Sequence, residues 1–254
     1  MAGFIAHPAA LFPALLACFI AAVAFGAIVL RRLLKLPDEE REDFNVVQTA
    51  TLTLLALLIG FTLSMAVGRY DQRKTLEEAE ANAIGTEYAR ADLVGAPLGV
   101  RMKSALVDYA KLRSAYYSTG DRDELAQLSR NISTLQTQLW SLATQVAKDT
   151  PTPIGAIVVT GMNDVLNSQD YAEAARINHI PLGAWFLMIV IGLFACAVQG
   201  FGARGKLGKG WLITVLPVTV SLSFSLISDI DSPQGGFIRV QPQNLNRLLQ
   251  SFPS

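Results

Sequence analysis

The sequence predicts an all-α integral membrane protein. Four transmembrane helices stand in a two-plus-two order, and a helical-bundle domain is inserted between spans two and three. Three observations predict this. Only 17% of the 254 residues are charged, against roughly 25% in a soluble domain. The charges are absent from four windows, 9–30, 46–68, 180–203 and 210–228. Between the second and third windows lies a polar segment with helical periodicity, 69–179. A spanning helix needs about 20 mostly apolar residues, and each window supplies that length. The predicted organisation is therefore 1–68 for spans one and two, 69–179 for the bundle, 180–230 for spans three and four, and 231–254 for a C-terminal tail.

The first window lacks a basic start and is followed by Arg31-Arg32, so it is expected to be a retained span rather than a cleaved leader. The second span is expected to continue past the membrane. Residues 69–94 contain no proline and one interior glycine, Gly85, so a single rod is predicted from about Asn45 to Leu93. In the bundle, Leu125, Leu128, Ile132, Leu135, Leu139, Leu142 and Val146 recur at alternating spacings of three and four. That places them on one helical stripe. Asp121 or Asp123 is the predicted cap, and Thr150-Pro151-Thr152-Pro153 the stop. A helix from about Leu98 to Tyr117 precedes it, and another over roughly Ile154–Ser168 follows. Tyr109, Tyr116 and Tyr117 are expected in the core. Glu77, Glu78, Glu80 and Glu87 read as a solvated helix face beside Arg73, Lys74 and Arg90.

Orientation follows from lysine and arginine near span ends. Arg31, Arg32, Lys35 and Arg41 follow span one, and Arg204, Lys206 and Lys209 lie between spans three and four. The N-terminal tail has neither residue type. The short loops are thus expected inside, and the bundle on the outer, periplasmic side.

The candidate functional residues fall in two groups. In span two, Thr49, Thr53, Gly60 and Ser64 belong to a small, weakly polar stripe, with Phe61 beside Gly60. The stripe suits either close helix packing through Gly60-xxx-Ser64-xxx-Gly68 or a water-accessible pore wall in which Phe61 is a constriction. The second group is Asp229 and Asp231, at a helix end where acids are disfavoured by the dipole. Three answers fit: pairing with Arg69 or Arg73 near Asp71, a bound hard cation such as Ca²⁺, or simple exposure to water. Whether a metal binds is open at this stage.

Other classes find little support. The formal net charge is zero, which gives no basic footprint for nucleic acid. The two histidines, His7 and His179, join no catalytic or phosphate-binding motif. Cys18 and Cys196 lie inside spans without metal-type spacing. No ionisable side chain sits deep in a span, which disfavours a proton-coupled transporter. No enzyme activity and no cofactor are expected.

The motifs GFTLSMAVGRYDQRK (60–74), EANAIGTEYARADL (80–93), HIP (179–181) and DIDSPQGGFIRV (229–240) resemble those of bacterial bestrophin-like membrane proteins, in order and over nearly the whole chain. The resemblance implies a homo-oligomer, with five subunits as in bestrophins, in the bacterial inner (plasma) membrane. Its partners would be the lipid bilayer and small inorganic ions, and its function passive ion conduction with span two lining the pore. In eukaryotic bestrophins an acidic segment after the fourth span helps clasp Ca²⁺. Here the long acidic run is missing, and the charge-based orientation differs from the cytosolic helical domain of bestrophins. The rival reading is a membrane-anchored sensor or scaffold whose bundle binds a partner or ligand.

Overall fold

The computed structural model describes residues 8–34, 37–203, 211–233 and 235–253. His7, Lys35, Arg204, Lys206 and Lys209, used above, lie outside the described residues. Among the described residues the fold is all helix, with no strand. Four helices are long and apolar enough to cross a membrane.

The chain forms two compact units. One comprises the N-terminal segment up to Gly68 together with His179–Ile238; the other comprises Arg69–Asn178 and Arg239–Ser254. The predicted tail is thus divided between them rather than standing apart.

In the first unit, α1 (Pro8–Phe25) runs into a π-helical turn, Gly26–Leu30, and a short end, Arg31–Leu33. α6 (Leu182–Gly202) and α7 (Trp211–Asp231) pack on α1. Two glycines set the approach of α1 and α6. A Cβ on Gly26 would stand 2.0 Å from the Ala197 carbonyl oxygen, and one on Gly200 would stand 2.1 Å from that of Val23. Gly192, Cys196 and Gly200 are all buried on one α6 stripe at four-residue spacing, the small-residue pattern that lets helix backbones touch in lipid. The π turn at Gly26 falls at this crossing, as π bulges commonly do at special contacts. Phe19 and Trp185 meet Phe224 edge to face, with ring centroids 5.8 and 6.3 Å apart.

α2 (Arg41–Arg90) is one unbroken helix of 50 residues, about 75 Å long at 1.5 Å per residue. The predicted rod is therefore present, ending in a 3₁₀ turn at Ala91–Leu93. Its apolar half crosses the first unit and its polar half belongs to the second.

The second unit is built from α3 (Leu98–Ser118), α4 (Arg122–Asp149), α5 (Pro153–Ile177) and α8 (Gln243–Ser251) around the polar half of α2. Asp121 caps α4, accepting from the backbone N–H groups of Asp123 (2.8 Å) and Glu124 (3.0 Å). The predicted stripe faces the core: Ile132, Leu139, Leu142 and Val146 are buried, while Leu125, Leu128 and Leu135 are half-buried against it. α5 outruns the predicted Ser168 end to Ile177, because no Pro or Gly interrupts 162–177 and Val165, Ala172 and Ala175 keep it anchored.

The acidic face departs from expectation. Glu78 is exposed, but Glu77, Glu80 and Glu87 are buried. They share the inner stripe of α2 with Ile84 and Ala91, so helical spacing turns them inward. Glu80 is held by Arg113 through two hydrogen bonds, one of them Nη2 to Oε2 at 3.0 Å, and accepts from the Tyr117 hydroxyl at 3.1 Å. The Arg113 guanidinium also lies against the Tyr116 and Tyr117 rings, 5.1 and 5.3 Å from their centroids. Burial alone would make Arg113 easier to deprotonate; the Glu80 charge overrides this and raises its pKa.

Candidate pore face and acidic turn

The span of α2 is the least covered of the four: 17% of its most apolar window is buried, against 33% for α7. Leu55, Thr62 and Ala66 form its buried side. Thr49, Thr53, Gly60 and Ser64 are all exposed. At about 100° per residue these four fall within an arc of roughly 60°, turned away from the buried side. Nothing among the described residues lies within 4 Å of a Cβ built on Gly60 or Gly68, so the small-residue pattern packs no helix within this chain. Phe61 is 64% exposed, but one residue's rotation from Gly60 sets it on the flank of the arc. A shallow groove runs beside Asn45, Thr49, Thr53 and Leu57. The Thr53 hydroxyl donates to the Thr49 carbonyl at 2.8 Å, and none of the four residues is ionisable, so the arc is weakly polar.

The two aspartates end α7, and neither is solvent-exposed: each is 6% accessible. This rules out simple exposure to water. Asp229 accepts from the backbone N–H groups of Phe237 (2.7 Å) and Ile238 (2.9 Å). The turn after α7 folds back to deliver those donors, and Gly236 permits it: a Cβ there would stand 2.5 Å from the Asp229 carbonyl oxygen. Asp231 accepts from the N–H of Ile180 at 3.1 Å, and His179 Nδ1 lies 3.1 Å from the Asp231 carbonyl oxygen. The carboxylates thus meet oriented amide dipoles, which offset the unfavourable helix end. HIP and DIDSPQGGFI are two sides of one hydrogen-bonded corner. Sequence reasoning missed these partners because backbone donors leave no residue-type signature.

The basic members of the predicted group lie in the second unit. Arg69 donates to Asn178 Oδ1 at 2.7 Å, tying α2 to the end of α5. Asp71 is exposed and Arg73 buried. No group of three or more His, Cys, Asp or Glu able to hold a metal occurs among the described residues.

Glu77 was also missed. Its carboxylate accepts from the N–H groups of Asn244 and Leu245, each at 3.0 Å, and from Asn244 Nδ2 at 2.7 Å. It therefore caps α8, whose Leu245 is buried and whose flanking Phe252 stacks on Tyr88 at 4.2 Å between centroids. The signal available was DIDSPQGGFIRV followed by a short amphipathic run. Glu77→Ala is expected to cost about 2 kcal/mol, the scale of hydrogen bonds to a charged group. Amide exchange in 243–251 should rise much more than in α4; equal protection in variant and parent would contradict this cap.

Helices of this length and hydropathy, with a second unit of buried polar side chains, define a helical membrane protein. The chain belongs to the Bestrophin-like family, whose domain matches residues 17–245, and is by that membership a membrane protein of the ion-channel kind. No curated protein matches the sequence. Among solved structures it is similar to a single-substitution form of a bacterial bestrophin homologue from Klebsiella pneumoniae. The two are 13% identical, the match covers 95% of this chain and 98% of that one, and the TM-score is 0.65. The zinc-phased structure of the Klebsiella pneumoniae homologue is 14% identical over 96% and 98%, with a TM-score of 0.64. A structure described as a membrane protein is 13% identical over 96% and 98%, with a TM-score of 0.63.

Proposed function

We propose that the protein is a homo-oligomeric passive ion channel whose second span lines the path. The observation that carries this reading is the uncovered arc of Thr49, Thr53, Gly60 and Ser64. Hydroxyls and bare backbone gain little from facing acyl chains, whereas copies arranged about an axis would turn them to a shared aqueous lumen. Phe61 then flanks the lumen as the bulky apolar element nearest Gly60. Five copies is the number the bestrophin resemblance favours. In this reading the spans follow a two-plus-two order, the bundle is the insert between the pairs, and it forms a vestibule. The setting is a bacterial inner membrane with the insert outside, supported by Arg31, Arg32 and Arg41 near the opposite span ends. Asp229 and Asp231 fix the end of span four through main-chain donors.

Thr53→Cys and Ser64→Cys in the oligomer test the arc. Both are expected to react with a membrane-impermeant thiol reagent, and the modification should reduce ion flux by more than half. Protection of both would assign the arc to helix packing, and protection together with no flux would favour a membrane-anchored sensor or scaffold.

A further inference from the structure

Glu87 is the least satisfied acid in the second unit. It is 0% exposed, and neither carboxylate oxygen has a hydrogen-bond partner among the described residues. Arg90 Nη1 stands 3.7 Å from Oε2, beyond hydrogen-bond range. The carboxylate rests directly on α5. A Cβ on Gly161 would fall 1.9 Å from Glu87 Oε2 and 2.2 Å from Arg90 Nη1, so a side chain at 161 would displace both side-chain ends from this contact.

The charged groups acting on it are Arg90 from its own helix and Asp164 from α5. Its apolar neighbours are Ile84 on α2, Ala91 in the 3₁₀ turn that follows, and Val158 and Val165 on either side of Gly161. An ionised carboxylate without donors is costly in such surroundings, which favours the neutral form. Burial accordingly pushes Glu87 up from 4.5 to about 7, Arg90 opposing and Asp164 adding to the shift.

We propose that Glu87 is a proton-operated latch between α2 and α5: neutral, it seats against Gly161; ionised, it opens that contact to water. The sign follows from linkage. The closed form binds the proton more tightly than the open form, so closure is strongest below pH 4.5 and weakens as pH rises to about 7. The proposal is independent of the channel reading, since it concerns only the packing of the second unit.

Amide exchange on the full-length protein in detergent, corrected for intrinsic rates and referenced to α4, tests it. Peptides covering 84–93 and 158–168 should open at least tenfold more at pH 7.5 than at pH 5, and Glu87→Gln should abolish the difference. Equal opening of the parent protein at the two pH values overturns the latch without any variant. So does a difference that persists in Glu87→Gln. If that variant does not fold, Asp164→Asn serves: removing the like charge should lower the transition midpoint, and an unmoved midpoint assigns the transition to another group.

Discussion

Arg113→Met is expected to destabilise the second unit by about 3–5 kcal/mol, the range for breaking a buried ion pair from one side. Glu80 and Arg113 are 0% and 2% exposed in their side chains, so water cannot replace the lost partner. Among the described residues the Tyr117 hydroxyl then remains as a neutral donor to Glu80, and one neutral donor does not neutralise a dry charge. The double variant Glu80→Leu, Arg113→Met removes both charges and should recover most of the loss, because well-packed apolar pairs often match buried ion pairs. Thermal unfolding in detergent, followed by helix content, gives the cycle. Additive losses in the single and double variants would mean that the two residues act separately.

Gly200→Leu is expected to have the largest effect in the first unit. The new side chain would meet the Val23 carbonyl at 2.1 Å from its first carbon. Backbone cannot swing aside as a side chain can, so α1 and α6 must separate, at about 3 kcal/mol or more. The protein should lose its monodisperse state in mild detergent. Gly183→Leu is the control: among the described residues no heavy atom beyond its own chain neighbours lies within 4 Å of a Cβ there, so dispersity should be unchanged. Similar behaviour of the two variants would contradict the glycine-mediated crossing.

The two variants mark what could be read in the sequence. Spans are legible because lipid imposes a crude rule, the exclusion of charge over some 20 residues. The α4 stripe is legible because its seven apolar residues alternate three and four apart without interruption. Periodicity identifies which residues share a face, yet not what that face meets. Glu77, Glu80 and Glu87 show the consequence. Nearby Arg73 and Lys74 suggested a solvated helix surface, whereas the true partners, Arg113, Asn244 and Gly161, lie 33, 167 and 74 positions away in sequence. The site divides the same way. The Thr49–Ser64 arc was visible as a pattern of small residues. The donors to Asp229 and Asp231 were not, being main-chain groups of Phe237, Ile238 and Ile180. The end of α5 was misplaced because sequence marks a stop by Pro or Gly, and the helix continues until the Asn178 turn.

Ion flux through the purified protein reconstituted in liposomes tests the central claim most directly. The account predicts a passive current carried down the ion gradient, scaling with protein density and reduced when Thr53→Cys is modified from the aqueous side. A well-incorporated oligomer that carries no current under any imposed gradient would contradict it.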